Sequence, residues 1–314
     1  MNTIKLIIIM FRRHNLELII GVSILFCGWT VLRYYFQFNE NAISNDPDKW
    51  GVFGDYVGGI VGSIFSLISV VLIYFTFREQ RKTSERDKFE NKYYELIKLH
   101  RDNVAEIQLG EGNGKKTFVL ILREFREALK IVKDISRSHS KTFENAKLIE
   151  LAYLTIFYGT GPNSTRVLKS SLPEYEKDFL DELTDTLHAK KDEIKLDRKL
   201  AFVPFEGHQH RLGHYFRHLY QTISFVHRTA SLTIEEKKEY VKTIRAQLSN
   251  HEQALLFFNS LSKIGRPWKT DGLIVEYSLI KNLPKSFIDE NTEIDVKAVY
   301  PSITFEFEEA YPII

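Results

Sequence analysis

The densest chemistry in this sequence lies at residues 205–228, FEGHQHRLGHYFRHLYQTISFVHR, which hold five of the ten histidines. Read as a helix from about His210, the stretch sets His210, His214 and His218 at steps of four on one face. Imidazoles at that spacing can meet on one metal ion. Three successive steps drift around the helix, however, and no fourth ligand stands out beyond Glu206 or His208. No metal ion and no other cofactor is therefore expected. A second chemistry is acid–base catalysis on RNA. Arg211 and His218 are seven apart and return to nearly the same angular position. Arg245 and His251 are six apart, about 120° off a common face. In either pair the histidine can act as general acid or base on a ribose hydroxyl or leaving oxygen, with arginine stabilising the charged phosphorane. The simplest reading is structural: a polar network around a helix pair, with Arg217 and Arg245 paired to carboxylates such as Glu252.

These residues need helices to position them, and the surrounding sequence supplies the pattern. Leu212, Tyr215, Leu219, Ile223 and Val226 form an apolar stripe separate from the histidines. Thr233 with Glu236 three residues on is a capping box, opening a helix expected to continue through Val241, Ile244, Leu248, His251, Leu255, Phe258 and Ser262. Upstream, apolar residues at helical spacing predict a helix over 78–107, broken by Gly110, Gly112 and Gly114. Further helices are expected at about 116–136 and 143–158. The loop Tyr158-Gly159-Thr160-Gly161-Pro162-Asn163-Ser164 would hold phosphate on backbone N–H groups if Ser164 capped a following helix, but it lacks a P-loop lysine and follows no strand. It reads as a helix–loop–helix corner. Residues 177–200 read as a charge-dense surface segment with little apolar face. The tail from 265 is less regular, with a short helix near 273–280 and some strand character at 296–307 interrupted by Pro301.

The N-terminal quarter has a different composition. Residues 56–77, YVGGIVGSIFSLISVVLIYFTF, carry no charge. As a helix the run spans roughly 33 Å, the hydrocarbon thickness of a bilayer. Before it, Glu40, Asp46, Asp48 and Asp55 face a single Lys49; after it come Arg78, Arg81, Lys82, Arg86 and Lys88. Basic residues mark the cytoplasmic side. An earlier apolar segment at 16–36 has Glu17 and Arg33 at its edges and follows Arg12 and Arg13. It resembles a signal peptide, but no small-residue cleavage site follows it.

The expected architecture is therefore mainly α, an N-terminal two-helix transmembrane hairpin followed by a cytosolic helical bundle. Residues 1–15 are cytosolic, 16–36 and 56–77 span, 37–55 form an extracytoplasmic loop, 78–264 form the cytosolic helical domain and 265–314 a less regular end. Both termini then lie inside the bacterial cytoplasmic (inner) membrane, and the lipid bilayer is the first partner. Gly58 and Gly62, and Gly59 and Ser63, are four apart in the second span. Small residues let helix backbones approach in lipid, so this face packs on the first span or on a second copy in a homo-oligomer. No charged residue lies within the run, which argues against a built-in ion pathway. The chain balances 43 basic against 41 acidic residues, so bulk charge indicates no nucleic-acid partner, and the single cysteine, Cys27, excludes a disulfide framework.

Three blocks carry a resemblance. Trp50-Gly51-Val52-Phe53-Gly54-Asp55-Tyr56-Val57-Gly58-Gly59, entering a span, resembles the phage abortive-infection family of AbiC type. Gly213-His214-Tyr215-Phe216-Arg217-His218-Leu219-Tyr220 is similar to that family's central cytosolic motif. Arg245-Ala246-Gln247-Leu248-Ser249, with Glu252 and Leu255-Leu256-Phe257-Phe258-Asn259, is similar to its next. The resemblance runs from about 50 to 277 and implies a bacterial defence role, in which an infected cell stops growing or dies before progeny emerge. It fixes no catalytic residues. A phage-derived trigger or host sensor is then the expected partner of a membrane sensor or effector. The alternative is a membrane-tethered RNase of the HEPN type, whose arginine-to-histidine spacing Arg211–His218 and Arg245–His251 both satisfy; RNA is a partner only under that alternative.

Overall fold

A computed structural model describes residues 21–38, 44–141, 143–288 and 294–309. The protein is mainly helical. It divides into two compact units, one up to Asp87 and one from Lys88.

In the first unit, residues 21–38 form helix α1, and helix α2 runs from Pro47 to Glu106. Residues 1–20, which include the expected cytosolic start and the first turn of the expected first span, lie outside the described residues. α2 starts at Pro47 rather than at Tyr56, so the expected 37–55 loop is shorter than its sequence suggests. Proline is pre-set for the first helical position and Asp48 suits the first turn. The Asp46 carboxylate also accepts the Asp48 N–H at 3.1 Å. Tyr34 of α1 packs on Phe53 and Tyr56 of α2, with ring centroids 4.8 and 5.5 Å apart. The apolar run itself is unburied. Added Cβ atoms at Gly54, Gly58, Gly59 and Gly62 would meet nothing within 4 Å.

The second unit is built around α3 (Lys115–Ser138), α4 (Asn145–Tyr158) and α10 (Asn250–Leu261), which pack on one another. α3 has one apolar face, and Phe118, Ile121, Leu122, Phe125 and Leu129 on it are all buried, as their spacing predicts. α4 and α10 are buried nearly all round, over Leu151–Phe157 and Glu252–Ser260 respectively. α2 contributes Phe89, Tyr93, His100 and Val104 to this core. Between α2 and α3 the three glycines give a two-stranded hairpin, β1 (Gln108–Leu109) and β2 (Gly112–Asn113), turning at Gly110.

Three sequence expectations are corrected. The helix opening at Thr233 does not continue to Ser262. It ends at Arg245, and α10 starts afresh at Asn250. The break is a second capping box: the Ser249 hydroxyl accepts from Glu252 N–H, while the Glu252 carboxylate accepts the Ser249 N–H at 2.8 Å. Residues 177–200 do carry an apolar face: α6 (Lys177–Ala189) buries Phe179, Leu180, Leu183 and Leu187 against α3, and α7 (Lys191–Asp197) follows. The tail is irregular but packed, with Leu279, Ile280, Leu283, Ile303 and Phe305 in the same core. Residues 296–307 form no strand; Val296–Val299 is a short helix.

Candidate functional site

The histidine-rich stretch forms α8, Gln209–Arg228, and the apolar stripe anticipated for it is buried at Leu212, Tyr215, Leu219, Ile223 and Val226. The entry to α8 is fixed by a group that periodicity did not single out, Glu124 of α3. Its carboxylate accepts the Phe205 N–H at 2.8 Å and bonds His208 Nε2 at 2.9 Å, with both side chains buried. The His208 N–H donates to the Ile156 and Phe157 carbonyls at the end of α4. Two glycines let the loops touch backbone to backbone. Gly159 and Gly207 have φ of 84° and 97°, and a Cβ on either would come within 2.5 Å of the other loop.

α8 presents two different polar faces. On its exposed side stand His210, His214 and Arg217, at the mouth of a cavity of about 900 Å³ lined also by Tyr158, Glu206, Gly213 and Trp268. None of these three side chains has a hydrogen-bond or ion-pair partner among the described residues. The expected pairing of Arg217 with a carboxylate is therefore not seen. Burial and the neighbouring Arg211 and His208 pull the His210 pKa below its usual value.

On the inner side, Arg211 Nε donates to the Gln108 carbonyl at 2.6 Å. Tyr215 O–H donates to Glu252 Oε1 at 2.9 Å, and burial beside that carboxylate raises the phenol pKa well above normal. His218 stacks on His100 of α2, ring centroids 6.0 Å apart and 18° from parallel. Both His218 nitrogens, and Nδ1 of His100, are buried with no hydrogen-bond partner. Burial, then the facing His218, then Lys115 push the His100 pKa down to about 4. Burial and His214 lower that of His218. The buried His100 ring and the half-buried His218 ring thus face each other, each with its pKa held below the usual imidazole value.

The sequence-level candidates separate accordingly. His210 and His214 point outward and His218 inward, so the triad does not converge. Among the described residues no group of three or more His, Cys, Asp or Glu is arranged to hold a metal ion. Arg211 and His218 share a side of α8, as their spacing predicts, but Arg211 is engaged with β1 and His218 with His100. Arg245 Nη1 donates to the Tyr277 and Ser278 carbonyls, at 3.3 and 3.2 Å. His251, beyond the turn, lies edge-on to Phe287, its pKa lowered by burial and by Arg126 and Arg123. The helical phase computed for that pair does not apply across two helices. Phe216 is buried. Tyr220 O–H donates to Asp271 at 2.5 Å. Asn259, buried in α10, donates to Tyr153 O–H at 2.9 Å and accepts from Trp268 Nε1 at 3.0 Å. It ties α4 and α10 to α11 (Arg266–Thr270).

The same segment is similar to a known protein family. Residues 207–288 match the family described as putative phage abortive infection protein. The match begins at the entry of α8, covers α9 (Ile234–Arg245), α10, α11 and α12 (Leu273–Glu276), and holds the resemblance read from the central motifs. No curated protein and no solved structure is significantly similar to the chain.

Proposed function

We propose that this chain is a membrane-anchored anti-phage defence protein of bacteria that acts by abortive infection. In this reading its cytosolic helical unit senses infection and controls a transmembrane hairpin, with α1 and the apolar part of α2 crossing the cytoplasmic membrane and both termini inside. The defence role is supported by the match over residues 207–288. The membrane role rests above all on one observation: the most apolar window of α2 is 0 % buried. An apolar helix of that length left bare in water is unfavourable by the whole transfer free energy of its side chains. The glycine face of α2, with open space beside it, supports contact with a second copy in the bilayer. Triggered by a phage component or a host sensor, such an assembly would rearrange and make the bilayer leaky.

The test follows membrane potential and RNA integrity on one clock in infected cells. Depolarisation before any RNA decay is the expected order. RNA decay first, with the potential intact, refutes the reading in favour of a tethered RNase. Reporters fused after Ile314 and inserted near Ser44 are expected on opposite sides of the membrane.

A further inference from the structure

We propose that the cavity beside α8 is a binding site for a small nucleotide, its phosphate held by Arg217, His214 and His210. The three side chains stand at i, i+7 and i+4 from His210 on one exposed helix face, one turn apart. Arg217 presents a planar fork of donors that fits phosphate oxygens in pairs, and imidazole adds donors on either side. All three are exposed, so water can serve them singly; what sets them apart is that they converge on one cavity. Here none of the three is paired among the described residues, and Glu206 is the single acidic residue of the lining. The cavity volume, about 900 Å³, falls in the range of small-molecule sites. Its inner wall is aromatic, with Phe157, Tyr158, Phe216 and Trp268, a surface suited to a planar base.

Gly213 is an independent observation. It sits inside α8, where glycine weakens a helix relative to alanine. The fold does not require it: an added Cβ would meet only Phe157 Cζ, at the ordinary distance of 3.7 Å. What the missing side chain provides is room in the cavity, whose lining Gly213 shares with Arg217 and the two histidines. A nearly neutral chain offers no broad basic track for a strand of RNA, so the observations favour a small ligand over a polymer. The proposal rests on the cavity and stands whether or not the membrane reading holds.

The test is calorimetric titration of the full chain in lipid nanodiscs with the four ribonucleoside 5′-monophosphates, their nucleosides, and inorganic phosphate. At least one monophosphate is expected to bind, at least about tenfold more tightly than its nucleoside or phosphate alone. Arg217→Gln is expected to weaken it at least about tenfold, and Gly213→Leu, which projects a bulky side chain into the cavity beside Arg217, to weaken it at least as much. Arg228→Gln, outside the cavity, should leave it unchanged; thermal unfolding of each variant reports folding. No binding by any monophosphate overturns the proposal. So does binding that survives both Arg217→Gln and Gly213→Leu, or binding seen only with a 5′-phosphorylated oligonucleotide.

Discussion

The buried pair His100–His218 makes a quantitative prediction about acid stability. His100 is 4 % exposed, and its imidazole is held neutral, with its pKa near 4 against a usual 6.5. The titratable groups around it are His218 and Tyr215 from α8, whose rings pack on it, and Lys115 from α3; Arg101 of its own helix and Glu252 of α10 line the same small cavity. Between pH 6.5 and 4 the unfolded chain binds a proton at this position and the folded chain does not. Stability therefore rises with pH across that window: it is fully present above pH 6.5 and is lost as the pH falls toward 4. The two pKa values give a loss of about 2 kcal/mol by pH 5 and roughly 3 kcal/mol by pH 4. His100→Phe removes the titration while keeping a flat ring against His218. It also removes a buried nitrogen that has no partner, so at pH 7 its stability is expected within about 1 kcal/mol of the parent. Urea unfolding of the full chain in micelles, followed by near-ultraviolet circular dichroism at pH 7 and pH 5, measures the difference. The parent is expected to lose about 2 kcal/mol more than the variant between the two. Contributions from His210, His218 and His251 have causes other than His100 and cancel in the comparison. Equal losses in parent and variant would refute the buried, neutral His100.

The other predictions concern the same elements. His218→Gln should keep substantial protection against phage, because neither His218 nitrogen has a partner or reaches solvent; an acid–base role would show as a loss of about two or more orders of magnitude in RNA cleavage. Ser249→Ala removes the hydroxyl that accepts from Glu252 N–H and donates to its carboxylate at 2.6 Å. The cost should be about 1–2 kcal/mol, read as a lower melting temperature, and an unchanged melt would mean that α10 does not need its cap. For Gly59→Leu and Gly62→Leu, an added Cβ at either position meets nothing within 4 Å among the described residues. They should insert normally, yet weaken crosslinking between copies and protection in plaque assays; unchanged crosslinking would show that this face merely meets lipid.

Regular periodicity was legible where one face of a helix is buried. Thus α3 and α8 could be located, together with their buried stripes, from residues such as Phe118, Phe125, Leu212 and Ile223. Periodicity misled where two helices continue the same spacing across a turn. Val241, Ile244, Leu248 and Leu255 are in phase, yet the chain bends between them. The signal that marks the bend, Ser249 followed three residues later by Glu252, was in the sequence. Charge density misled at 177–200, where lysines and aspartates alternate with Phe179, Leu183 and Leu187 and mask the stripe they form.

What the sequence by itself determined is local. It held the helical class, the apolar run of α2, the caps at Thr233 and Ser249, and the motifs of the matched family, because each depends on residues within a few turns of one another. What only the tertiary structure decided is which polar groups meet. His218 faces His100, Glu124 holds the entry of α8, and Asn259 bridges Tyr153 and Trp268. The division of α8 into an inward imidazole, His218, and an outward face of His210, His214 and Arg217 was equally hidden. A histidine's spacing fixes its angle on its own helix, but not what the neighbouring helices place against that angle. That depends on side-chain packing between segments as far apart as His100 and His218, or Tyr153 and Asn259, more than a hundred residues in each case.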